Sequence, residues 1–152
     1  MNKSYSWLKK PLDIVLKEKG RVKAEQLEEI RKVRAVEGGG WVSHFVDTGC
    51  MTENELINIL LADTGLPYIS LLNITTPQAL LNDYTHDFLI AFECYPIDSI
   101  GPVCTLATCN PYQKDLLMAR RNELQTIQLF LCRLSEWREC IHRLQEEGSL
   151  TV

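Results

Sequence analysis

Ten lysines and arginines stand in the first 35 residues of this 152-residue chain against five acids, a local charge of +5, while the rest carries −9 and brings the total to −4. A basic end on an acidic body suits a nucleotide phosphate, an anionic membrane surface or an acidic protein partner. The bland alternative is a solvated helix face whose charges pair one turn apart, as Glu28 and Lys32 would. Nucleic acid is disfavoured, because no aromatic residue is interleaved through residues 9–34 and the whole chain is acidic.

The other chemistry-bearing residues are scattered. Gly38-Gly39-Gly40 invites reading as a phosphate cradle, but a P-loop needs G-x-x-x-x-G-K-[ST] after a strand, and here Trp41 follows with no Lys or hydroxyl in register. The glycines read as a connector. His44, His86 and His142 lie apart and belong to no G-x-S-x-G or H-E-x-x-H pattern. Asp83 and Asp87 share a helix face, where first-turn carboxylates answer the helix dipole. The six cysteines (Cys50, Cys94, Cys104, Cys109, Cys132 and Cys140) form no CxxC pair, so buried free thiols are expected and no metal. No catalytic constellation emerges; the chain is read as a non-enzyme that needs no cofactor.

The elements that would position the basic residues come from an internal repeat. Residues 12–33 and 41–62 superpose with a shift of 29, matching Gly20 to Gly49. In each copy an apolar helix face (Leu12, Val15, Leu16; then Trp41, Val42, Phe45, Val46) runs into Gly, and a second helix follows. Thr52 with Glu55 is a capping box, and Lys23 is the weaker start of the first copy. Gly65 then stops a helix, and Pro67 opens an extended segment. Farther on, Pro77 starts a helix through Leu81, and Asp83 or Thr85 starts another through Phe92, with Leu80, Leu81, Phe88, Leu89, Ala91 and Phe92 facing a core. Residues 94–100 and 103–108 read as strands about Gly101-Pro102, and residues 126–132 as a third. Asn110 and Pro111 open a helix to Asn122, and Ser135 caps a last helix through Gln145. The fold class is α+β: a helical subdomain of two repeated helix hairpins over residues 5–66, then a small α/β subdomain over 67–147 and a frayed tail at 148–152.

The duplicated hairpin, the segment Leu60-Leu61-Ala62-Asp63-Thr64-Gly65-Leu66-Pro67-Tyr68-Ile69-Ser70-Leu71, the strand Tyr95-Pro96-Ile97 and the corner Thr105-Leu106-Ala107-Thr108-Cys109-Asn110-Pro111 together resemble the N-terminal domain of the secretion ATPases of type II secretion and type IV pilus assembly. The resemblance covers about residues 8–145. It implies a docking or adaptor domain that binds the cytoplasmic domain of an inner-membrane platform protein, with a downstream ATPase domain as a further partner. No Walker sequence is present, so the motor would lie elsewhere.

Some relatives instead bind cyclic di-GMP, through a repeated "R-L-G-x-x-L-x-x-x-G" followed by a helix ending in Gln. Here Pro11, Asp13 and Arg34 fall on the Arg, Gly and Gln of the first copy, and Gly40, Val42 and Asp63 on those of the second. Lys10 lies one residue from the first Arg position but lacks a bidentate fork. The sensor reading is therefore the alternative and docking the expectation, through Lys9, Lys10, Lys17, Arg21, Lys23, Arg31 and Arg34. No apolar run reaches bilayer length and no signal peptide opens the chain, so the expected place is the cytoplasm, peripheral to the inner membrane.

Overall fold

The structure, a computed structural model, describes residues 10–113 and 126–146. The repeat is real in three dimensions. Helices α1 (Leu12–Glu18) and α3 (Trp41–Asp47) start 29 residues apart, as do α2 (Ala24–Glu37) and α4 (Glu53–Thr64). Gly20, at φ +71°, ends α1 by sending its N–H to the Lys17 carbonyl at 3.0 Å while Arg21 N–H reaches the Leu16 carbonyl at 2.9 Å. This paired bond is the Schellman stop, and only a residue tolerant of the left-handed region makes it cheaply. Gly49 (φ +77°) repeats the turn after α3, and Gly65 (φ +67°) closes α4.

The helix starts follow their side chains. Thr52 Oγ accepts Glu55 N–H at 3.1 Å and donates to the Glu55 carboxylate at the same distance. At α2 only half of that device exists: Lys23 N–H donates to Gln26 Oε1 at 3.0 Å, but a lysine side chain has nothing to accept with. Beyond α4 a single 3₁₀ turn (Leu71–Asn73) leads to α5 (Gln78–Leu81) and α6 (His86–Phe92). Thr85, not Asp83, caps α6, its hydroxyl accepting Phe88 N–H at 3.1 Å. Ala91, expected in the core, is exposed, because it falls on the face of α6 opposite fully buried Leu89.

Three strands, β1 (Cys94–Ile100), β2 (Val103–Thr108) and β3 (Thr126–Leu131), form one sheet in the order β1-β2-β3, antiparallel then parallel. The third strand thus ends one residue before the expected Cys132. Pro96 precedes a register shift, on an edge strand where its missing N–H costs no ladder bond. Helix α7 (Leu134–Glu146) lays Trp137, Cys140, Ile141 and Leu144 into the core, and Trp137 Nε1–H donates to the Cys94 carbonyl at 2.9 Å.

Ser135 is not the cap of α7. It lies inside the first turn, and its N–H is taken by Glu53 Oε1 from α4 at 2.7 Å, so a distant carboxylate does the capping. The helix expected to open at Asn110 and Pro111 does not do so: Asn110 Oδ1 accepts Tyr112 N–H at 3.0 Å and residues 111–113 are not helical, while the remainder to Asn122 lies outside the described residues, as does the tail. One buried cluster draws Leu12, Leu27 and Phe45 of the hairpins together with Leu106, Leu129 and Trp137 of the sheet and α7. Among the described residues no helix is long and apolar enough to cross a membrane.

Candidate functional site

The candidate cations divide into two kinds. Lys17, Arg21 and Lys23 surround the turn between α1 and α2, all exposed, with no ion pair to a described residue. Lys10, before the start of α1, is exposed and holds Glu18 at 2.5 Å. Lys9 lies outside the described residues. Arg31 and Arg34, by contrast, are engaged in the fold. Arg31 bonds Asp13 Oδ2 at 3.0 Å and Glu28 Oε1 at 3.1 Å, and the Asp13 contact above all, offset in part by desolvation, raises its pKa. Glu28 therefore pairs with Arg31, not with Lys32. Arg34 stacks over the Trp41 ring at 4.7 Å, and its Nε is buried without a hydrogen-bond acceptor among the described residues. The ring face stands in for the missing acceptor.

Three carboxylates in or against the hairpins are held by internal partners. Asp13, buried in the first turn of α1, is neutralised by Arg31. Asp63 near the end of α4 takes Lys19 Nζ at 2.8 Å and the Tyr112 hydroxyl. Burial pushes the Asp63 carboxyl up, but the Lys19 and Tyr112 contacts together bring it below its usual value.

Glu93, the third, was not singled out from the sequence. Only 1% exposed, it closes α6 in the left-handed region at φ +48° and reaches 51 residues back along the chain. Its Oε1 accepts Val42 N–H at 3.0 Å, and its Oε2 accepts Ser43 N–H at 2.7 Å and the Ser43 hydroxyl at 2.5 Å. The first N–H groups of α3 are thus filled from inside the protein. Burial pushes the Glu93 carboxyl up, against the opposing pull of Ser43 and Val42. The signal was present as the single acid in an otherwise apolar run, Phe88-Leu89-Ile90-Ala91-Phe92-Glu93-Cys94.

The glycine run is more than a connector. Gly40 sits against Glu93: a Cβ there would lie 2.2 Å from the Glu93 Cδ and Oε1. His44, 7% exposed, meets the Gly38 carbonyl through Nε2 at 2.6 Å, while His86 contacts Gln145 and His142 contacts Glu146. Among the described residues no three His, Cys, Asp or Glu side chains are grouped to hold a metal ion.

The opposite shifts of Asp63 and Glu93 have opposite pH consequences. A lowered carboxyl lends stability above its unfolded pKa that is lost as pH falls through the folded one; a raised carboxyl lends stability below its unfolded pKa that fades as pH rises. Asp63→Asn is therefore expected to lose less stability than the parent as pH falls from the ordinary carboxylate range to below it. Parallel melting-temperature curves for the two proteins would contradict the Lys19–Asp63 linkage.

Residues 64–149 match the model of the MshEN domain. No curated protein sequence matches the chain. Among solved structures, the N-terminal domain of XpsE is similar in two crystal forms: one at 18% identity, covering 94% of this chain and 96% of that one with a TM-score of 0.60, the other at 21%, covering 86% and 91% with 0.56. A structure of MshE with cdg is similar at 19% identity over 89% of this chain and 99% of that one, with a TM-score of 0.54. At such identities the likeness establishes a shared α+β fold.

Proposed function

We infer, from the premise that the chain belongs to the MshEN domain family, that it is a docking domain of a type II secretion or type IV pilus ATPase and receives an acidic surface on the cytoplasmic part of an inner-membrane platform protein. The observation that carries this reading is the exposed triad Lys17, Arg21 and Lys23, three cations around one rigid glycine stop with no internal partner among the described residues. Cations held this way keep their hydration and long reach until a partner arrives, which favours fast, salt-sensitive association. Arg31 and Arg34 already have partners within the fold, so the proposed surface is centred on Lys17, Arg21 and Lys23.

The sensor alternative finds less support. MshE has been solved with cdg, and a receptor of that kind needs cations and open backbone donors toward the phosphates. In this chain the corresponding positions carry Asp13 bound to Arg31 and Asp63 bound to Lys19, while the donors at the start of α3 are already taken by Glu93.

The test is a titration of the domain against the platform protein's soluble cytoplasmic part. Reversing Lys17, Arg21 and Lys23 together to Glu should weaken binding about tenfold or more, mostly through slower association, and leave the melting temperature unchanged. Arg31→Glu should instead lower the melting temperature, because it strands Asp13. Full affinity in the triple variant would move the docking surface elsewhere. Saturable, salt-resistant binding of cyclic di-GMP by the parent would favour the sensor.

A further inference from the structure

Cys109 follows β2 and Cys132 follows β3, one step beyond the register pair Thr108↔Leu131. Cys132 N–H donates to the Thr108 carbonyl at 3.1 Å, and the two sulfurs lie 3.8 Å apart. Both residues are at most 2% exposed, and all six cysteines are free thiols. The pair borders a small crevice that Leu56, Ile57 and Leu60 of α4 line and that Arg133, half-buried, also borders. Adjacent strands sit ~4.8 Å apart, within the roughly 4.4–6.8 Å Cα window of a disulfide. The sulfurs must close from 3.8 Å to the ~2.05 Å of a disulfide, a movement of under ~2 Å.

We propose that Cys109 and Cys132 are a reversible dithiol, oxidised to an intramolecular disulfide by a low-molecular-weight disulfide such as that of glutathione. When a local opening at the crevice exposes Cys132, its thiol loses its proton and attacks one sulfur of the oxidant, forming a mixed disulfide and expelling one thiolate. Cys109 then loses its proton and attacks Cys132 Sγ, expelling the second. The protein gives up two electrons and two protons, and the oxidant leaves as two thiols. Burial, and then the neighbouring Cys132, push the Cys109 thiol up, which slows any attack by Cys109 on an outside oxidant at neutral pH.

The test uses the full chain with Cys50→Ser, since Cys50 alone among the six is only half-buried. After native incubation with glutathione disulfide, the thiol count should fall from five to three, the mass by two hydrogens, and digestion should yield a peptide joining Cys109 to Cys132. Dithiothreitol should restore five thiols, and the oxidised form should melt several degrees higher with unchanged far-UV circular dichroism. Five surviving thiols, an unresolved glutathione adduct, a bond between another pair, or a bond that forms only in denaturant would each overturn the assignment.

Discussion

Gly40→Ala is expected to lower the unfolding free energy by about 3 kcal/mol and the melting temperature by roughly 10 °C. The backbone at Gly40, φ −88° and ψ 161°, is one that any residue adopts, so no dihedral penalty is involved. The cost is steric. The added methyl would overlap the Glu93 Cδ and Oε1 at 2.2 Å and Cγ at 2.4 Å, and that carboxylate is buried and held by α3, with nowhere to swing. Gly20→Ala makes the informative contrast, since nothing lies within 4 Å of its Cβ and only its φ of +71° resists. That strain is worth about 1 kcal/mol. If Gly40→Ala melts with the parent, the close approach of Glu93 is not a packing constraint.

Glu93→Ala should cost about 3–5 kcal/mol, because it leaves two N–H groups and a hydroxyl without their acceptor in a site that water barely reaches. Glu93→Gln should fare little better: it preserves volume, but its amide NH₂ must face one of the N–H donors that the carboxylate accepted. The decisive measurement is a cycle by chemical denaturation. Alanine at 93 removes the atoms that a methyl at 40 would strike, so the Gly40→Ala/Glu93→Ala protein should be about as stable as Glu93→Ala alone. Additive losses would mean that the two residues act separately.

The hairpins were legible because their signals are local. A glycine stop, a Thr–Glu start and apolar residues at helical spacing each act within one or two turns, and their recurrence after 29 residues made two weak patterns into one strong one. The strands around Gly101-Pro102 were readable for the same reason. What escaped was set by contacts between distant segments. Ser135 carried the right residue type for a cap, yet Glu53, 82 residues away in sequence, holds its N–H. Arg31 looked like one more surface cation until folding brought Asp13 beside it. The basic surface was visible as composition, but which of its charges remain available depends on tertiary pairing that composition does not encode. Glu93 is the extreme case, since both its role and the need for Gly40 exist only once α6 and α3 meet.

The parallel pairing of β2 with β3 imposes an order on how the chain reaches this state. The helix hairpins and the β1–β2 ladder join near neighbours and can form early, with little loop to close. β3 can enter only after the chain has crossed back beside β2, and α7, whose first turn is capped by Glu53, follows it into place. The kinetic barrier therefore belongs to the last third of the molecule, where closure entropy is spent before any ladder bond returns it. Amide protons of β3 and the first turn of α7 should acquire exchange protection together, after those of α1 to α4.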